Sequence, residues 1–284
     1  MAKIAFLGTG MLGGAFAQAA AQRGDTVTAW NRTPEKLDAL AAFGVIAAAT
    51  PADAVRNAER VHLVLKDDAV VDAVLEAARA GLLPGAVIID HTTTQPALTA
   101  VRAQRLAAEG VKYLHCPVFM GPAAARSAQG RMLVAGSEAV FESVKAELEK
   151  MTGELEYYGE RADLAAVSKL IGNAMIIGMS ALMADILTIA QATNVPALDA
   201  MKVLGLFDLN TFVTGRGTNM AKGVFTPSFE MAMARKDVRL MLETVAGRPM
   251  AALPAVAARM DDLIEKGCGA RDFSVLAIDA LARP

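Results

Sequence analysis

The segment KIAFLGTGMLGGAF places Gly8, Gly10 and Gly13 in a G-x-G-x-x-G spacing. An apolar β-type run comes directly before it and an alanine-rich helical run directly after. The spacing alone is weak, but between a strand and a helix it restricts the chain to few folds. Gly8 permits a tight turn, Gly10 lets the backbone approach a pyrophosphate, and Gly13 lets helix and strand pack closely. The start of the helix then offers free N–H groups and a positive dipole end to phosphates. Thr9, Met11 and Leu12 share this loop and are expected at the dinucleotide with the glycines.

The run that follows alternates short β-rich stretches with helical ones. KIAFLG (3–8), TVTAW (26–30), RVHLVL (60–65) and AVIID (86–90) read as strands. AFAQAAAQRG, TPEKLDALAAFG and DDAVVDAVLEAARAGL read as helices, the second with Thr33 as N-cap and Pro34 at its first position. Alternation with short loops implies an α/β fold, a parallel, doubly wound sheet covered by helices on both faces. Beyond about residue 160 the β character disappears and helices follow, broken at NVPALD, TPSF, GRP and KGCG. The expected division is a dinucleotide-binding domain at 1–161 and an all-helical domain at 162–284, with a long helix leaving the sheet domain near YYGERADL.

With 284 residues, 54% hydrophobic and 20% charged, the chain can bury a large core and is not disordered. A formal net charge of −2 without a basic cluster gives no sign of a nucleic-acid partner. Cys116 and Cys268 are far apart and show no metal spacing, so reduced structural thiols are expected and no metal site. The N-terminal apolar run is broken by the motif glycines and is not read as a signal peptide. The uncharged run from Leu170 to Ala184 is shorter than the ~20 residues of a membrane span. A soluble, cytoplasmic protein is the expectation.

The end of the second strand bears on which dinucleotide is bound. An NAD site usually has an acidic residue there for the ribose hydroxyls. This strand runs into AWNRTPEK, with Asn31, Arg32 and Thr33 and no carboxylate before Glu35. Arg32 can bind a 2′-phosphate, with Asn31 and Thr33 adding neutral hydrogen bonds, so NADP is expected. Two further strand-end loops should reach the cofactor: VLKDD with Leu65 and Lys66, and IIDHTTTQP with Thr92, Thr93 and Thr94. A threonine can cap the next helix, but three in a row leave at least one hydroxyl free.

The apolar helical pattern of residues 163–187 carries a single lysine, Lys169, with Asn173 one turn on along the same face. An unpaired ammonium in a dry core costs several kcal/mol. Lys169 therefore either reaches water along a helix surface or stands at a cleft and does chemistry.

Placed in order, these motifs resemble those of the β-hydroxyacid dehydrogenase family, which includes 3-hydroxyisobutyrate and 6-phosphogluconate dehydrogenases, and the likeness covers nearly the whole chain. FLGTGMLGG looks like its dinucleotide loop, DHTTTQP like its D-x-S-T-x-x-P segment, SKLIGN like its K-x-x-x-N signature, and ARKDVRL like its K-D-x-x-L segment. The resemblance implies an N-terminal Rossmann domain, a long inter-domain helix and an all-helical C-terminal domain. It also implies that Lys169 is the general acid–base, with Thr93 at nicotinamide and substrate and Asn173 at the substrate. Lys236 and Asp237 would close the site, Lys236 against the nicotinamide side. As an i, i+1 pair these two point in different directions, so a simple surface ion pair is not the obvious alternative. NRTPEK and SFEMAMARKD are similar to the NADPH-dependent glyoxylate and succinic semialdehyde reductases, where a phenylalanine at the position of Phe229 lines the pocket.

One motif departs from the family. Its substrate loop reads D-A-P-V-S-G-G, whereas this chain has HCPVFMGP, so Phe119 replaces serine, Met120 replaces the first glycine, and Gly121 is kept. A hydroxyl and some room are lost and apolar surface is gained over the expected substrate. The leading expectation is an NADPH-dependent reductase of a small aldehyde or keto acid, giving its hydroxy acid. Alternatives are a reductase of a less polar carbonyl or imine, and a non-catalytic NADP-binding module. The helix from Ala166 to Ile189, apolar nearly all round, implies a homo-oligomer, dimer or tetramer.

Overall fold

In the first strand, β1 (Lys3–Leu7), Ile4 and Phe6 enter one apolar cluster and Ala5 and Leu7 the other. A strand apolar on both faces needs cover on both, which parallel crossover units supply. The computed structural model describes residues 2–206 and 208–281. It forms two compact units, Met1–Asn173 and Ala174–Pro284.

In the first unit, β2 (Thr26–Trp30) and β3 (Ile46–Ala47) extend the sheet on one side of β1. On the other side lie β4 (Arg60–Leu63), β5 (Val87–Asp90) and β6 (Lys112–His115), giving the parallel order β3-β2-β1-β4-β5-β6. The short β7 (Val118–Phe119) and the longer β8 (Arg131–Gly136) continue it antiparallel, and β9 (Glu154–Tyr157) runs parallel to β8. The crossovers carry α1 (Met11–Gln22), α2 (Asp38–Ala41), α3 (Pro51–Val55), α4 (Asp68–Ala78) and α5 (Pro96–Ala108). Beyond them lie α6 (Pro122–Arg126) and α7 (Glu138–Leu148). Phe6, Phe16, Ile89, Leu114 and Met132 form the core of one sheet face, and Leu7, Leu63, Val71 and Ile88 that of the other. Chain order reverses between β1 and β4, so the loops after these strands flank the switch point where open α/β sheets bind ligands.

The doubly wound sheet expected from the sequence is present, with local differences. The helix after β1 starts at Met11, inside the glycine motif, because nothing after Gly10 resists helical geometry. TPEKLDALAAFG is not one α-helix but a 3-10 turn, Pro34–Leu37, followed by α2. Thr33 precedes that turn without capping it through its hydroxyl. Its carbonyl instead accepts from Asn31 Nδ2 at 2.9 Å and from the Lys36 amide at 3.2 Å.

The second unit is helical. A continuous helix, α8 (Leu164–Ala192), runs through the division at Asn173, and α9 (Ala197–Met201), α10 (Leu209–Ala221), α11 (Met231–Thr244) and α12 (Leu253–Leu263) follow. The unit's core comes from helically spaced Met231, Ala234 and Val238 on α11 and Leu253, Ala257, Met260 and Leu263 on α12. The sheet ends at Tyr157, close to the domain boundary expected at 161, whereas the compact units divide one turn beyond Lys169.

The length of α8 corrects the expectation of a run too short to span a membrane. The helix continues past both charged residues to 29 residues, long and apolar enough for a span by length and composition. Asp185 within it is 1% exposed and accepts the amides of Ala251, Ala252 and Leu253 at 2.5–2.9 Å, capping the start of α12.

Candidate functional site

The three glycines of the loop meet different surroundings. Gly8 has φ +98°, and a Cβ there would lie 2.3 Å from the Val64 carbonyl oxygen. A Cβ at Gly13 would lie 2.1 Å from the Gly8 carbonyl oxygen. At Gly10 nothing stands within 4 Å of such an atom, which leaves the open approach that a pyrophosphate needs. Gly10 is also the N-cap of α1, whose first turn holds no acidic residue and no side-chain cap, so its leading amides and dipole face outward. Met11 is 83% exposed beside them, Leu12 packs against the core, and the buried Thr9 hydroxyl has no partner among the described residues. These features fit a dinucleotide.

At the end of β2, Asn31 has a structural task. Its Oδ1 accepts the Thr9 amide at 3.0 Å and its Nδ2 donates to Thr33, tying the glycine loop to the neighbouring strand end. Arg32 is exposed, and among the described residues it makes no ion pair. Lys66, after β4, is exposed and lies 3.5 Å from Asp67.

Of the three threonines after β5, two are spent on the fold. Thr92 Oγ1 accepts the Leu65 amide at 3.1 Å, and Thr94 Oγ1 sits 2.7 Å from Thr99 Oγ1 and 3.0 Å from His115 Nε2. Neither caps α5, whose N-cap is Gln95. Thr93 is exposed between them. The expected free hydroxyl is therefore Thr93.

Beneath this loop lies a buried polar layer that the sequence reading did not find. Asp90 is fully buried, and its carboxylate accepts the Thr92 amide and the Tyr113 hydroxyl, each at 2.9 Å. His62 Nδ1 and His91 Nε2 are 3.0 Å apart, and His91 Nδ1 is 2.8 Å from the Cys116 carbonyl oxygen. Burial holds all three histidines of this layer below their ordinary range, His91 at about 4, and pushes the Cys116 thiol up. Arg102, 1% exposed, bonds Asp68 at 2.8 Å and Asp72 at 2.9 Å, while the other oxygen of Asp68 accepts the Gln95 amide. That network clamps the loops after β4 and β5 together. No one-dimensional spacing marks the layer, because its members come from β4, β5, β6, α4 and α5.

The loop HCPVFMGP lies after β6. Val118 and Phe119 pair with Met132 and Arg131 of β8, Met120 packs partly against the core, and Gly121 is exposed with open space around it. Lys169, on the second turn of α8, is half-buried, and its Nζ sits 4.0 Å from the centre of the Phe119 ring. Burial shifts this lysine downward from its ordinary value. Asn173 lies one turn beyond on the same face of α8.

Phe229, Lys236 and Asp237 belong to the helical unit. Phe229 is partly exposed, its backbone amide donates to Asp272, and its ring meets Phe273 edge-on at 5.5 Å. Lys236 and Asp237 do form an ion pair, with Nζ 2.8 Å from Oδ1. This corrects the expectation from their divergent directions, because the flexible lysine stem reaches back to its neighbour.

The family model described as the NAD binding domain of 6-phosphogluconate dehydrogenase matches residues 3–159. Cytokine-like nuclear factor N-PAC of Xenopus tropicalis is 29% identical over 244 residues, 84% of this chain and 46% of that protein. The chain thus spans about half the length of the N-PAC relatives it matches. Glyoxylate/succinic semialdehyde reductase 1 of Arabidopsis thaliana is 26% identical over 284 residues, 96% of each chain. Among solved structures, the Streptomyces aurantiacus imine reductase has a TM-score of 0.89 at 26% identity, with 99% of this chain and 100% of that one covered.

Proposed function

Because this chain belongs to the β-hydroxyacid dehydrogenase family, with the NAD-binding domain of 6-phosphogluconate dehydrogenase, we propose that it is an NADPH-dependent reductase of a small aldehyde or keto acid. The observation that carries the reading is the half-buried ammonium of Lys169, unpaired with any carboxylate among the described residues, in the same unit as an open glycine loop and an exposed Thr93. When bound, the nicotinamide supplies the hydride that reduces the carbonyl carbon. As charge grows on the carbonyl oxygen, Lys169 Nζ stabilises it and donates a proton, which solvent then restores. Thr93 offers a hydroxyl to the substrate, and Asn173 an uncharged amide. Arg32, without a competing carboxylate at the strand end, favours a 2′-phosphate.

The test is NADPH oxidation against a panel of semialdehydes and keto acids, with Lys169→Ala alongside. The variant should lose about 10²–10⁴-fold in turnover, the usual worth of general acid catalysis, and still bind NADPH. Half of the activity remaining would reduce the lysine to a structural role. A second reading, reduction of a less polar carbonyl or an imine, is favoured by the Phe119 ring against Lys169 and by the likeness to an imine reductase. Cyclic imines in the same panel separate the two.

A further inference from the structure

The loop residue that departs from the family pattern and the helix residue that carries the ammonium meet in this structure. Lys169 Nζ stands 4.0 Å from the Phe119 ring centre. The far edge of that ring rests on Gly172 of the same helix. A Cβ at Gly172 would lie 2.3 Å from Phe119 Cζ and 2.8 Å from Cε1, so any larger residue there would displace the ring. Gly178, two turns on, has nothing within 4 Å of such an atom. Glycine weakens a helix interior relative to alanine, so its use at 172 calls for a packing reason, and the ring is one.

We propose that Phe119 is a positioning residue for Lys169, its ring seated on Gly172 and its π face holding the ammonium in place. The proposal rests on the reading of Lys169 as proton donor. An aromatic face attracts a cation through its quadrupole. Among the described residues no carboxylate pairs with Lys169, and burial lowers it from its ordinary value. The ring offsets part of that burial without a counter-charge that would tie up the proton. Near Phe119, Tyr158 donates to Glu156 at 3.2 Å and is itself held protonated by burial, and Arg131, the cross-strand partner of Phe119 on β8, is ion-paired with Glu154 and Glu156. Serine at 119 would leave the lysine stem free to turn, and alanine at 172 would unseat the ring.

The test titrates Lys169 itself in the full-length protein. Its side chain is labelled by reductive 13C-methylation, and the resonance is assigned by its loss in Lys169→Arg. Phe119→Leu, which keeps apolar bulk without a π face, should lower the apparent pKa by roughly 0.4–1.5 pH units, the span of cation–π energies. Gly172→Ala, which favours the helix and so should fold, should lower it similarly, while Phe119→Tyr should leave it in place. Wild-type titration in both Phe119→Leu and Gly172→Ala overturns the proposal. The pH profile of kcat/KM then separates the two readings. A resonance shift with an unmoved profile upholds the action of Phe119 on Lys169 and removes Lys169 as the proton donor.

Discussion

An exposed arginine gains value from what its neighbours lack. At the end of β2 the position usually filled by a ribose-binding carboxylate is Asn31, spent on the Thr9 amide and the Thr33 carbonyl, and Arg32 beside it is unpaired among the described residues. A charge-assisted phosphate contact is worth about 1.5–3 kcal/mol, roughly a ten- to a hundredfold preference. NADPH should therefore exceed NADH in kcat/KM by that order, and Arg32→Ala should narrow the gap; equal values for the native protein refute the assignment. The neighbouring substrate question turns on Phe119 and Met120. They offer apolar surface at about 0.8 kcal/mol per buried methylene, whereas serine and glycine would offer a hydroxyl and room. Glyoxylate, with no carbon beyond its acid, should be a poor substrate beside longer semialdehydes. Phe119→Ser with Met120→Gly should move kcat/KM toward small acids, and an unchanged ranking means that the loop does not read the substrate.

At the scale of strands and loops, the buried layer under the β4 and β5 ends makes the fold sensitive to acid. His91 stays neutral in the fold down to about pH 4, and His62 and His115 are also held below their ordinary range. In the unfolded chain each histidine takes up a proton below about pH 6.5. Between those values the unfolded state binds more protons, so stability falls as pH drops from about 6.5 toward 4. For His91 the full effect is about 3 kcal/mol, at roughly 1.4 kcal/mol per unit. Urea midpoints should decline from pH 7.5 to pH 5, before carboxylate protonation contributes, and His62→Phe with His91→Gln should flatten the decline. A flat native profile over that range would exclude the layer as the cause. Such a layer also marks where sequence stops being informative. The parallel sheet, the glycine loop and the lone lysine were legible because each is a local pattern, periodic or fixed in spacing. The use of Thr92 and Thr94 by the fold, the clamp of Arg102 on Asp68 and Asp72, and the stacking of Phe119 on Lys169 were not. Those depend on which side chains the sheet order brings together, and α8 outran its uncharged stretch because Asp185 finds its partners on a distant turn.

The long helix α8 leaves an apolar surface without a partner among the described residues. Along α8, Ile171, Met175, Ile176, Ile177, Met179 and Leu182 are each 45–68% exposed, and the most apolar window of the helix is only 6% buried. Six such side chains present roughly 600 Å² of hydrocarbon, at the upper end of what a monomer leaves open. At about 25 cal/mol per Å² that is ~15 kcal/mol of gross burial, enough to meet most estimates of the association cost. Gly178, Ser180 and Ala181 allow another helix to approach closely. Two surroundings can cover such a helix, a second copy of the chain or lipid, and its charged residues distinguish them. Asp185 is bonded to three backbone amides at the start of α12, and Lys169 to the Phe119 ring, so both stretches of the helix are engaged with protein near their charges. Self-association is the expected outcome, as a dimer or tetramer at micromolar concentration by sedimentation velocity. Ile177→Asp, at the most exposed of these positions, should shift it toward monomer without changing the fold measured by circular dichroism. A native protein that sediments only as monomer, or that floats with liposomes, would end this reading.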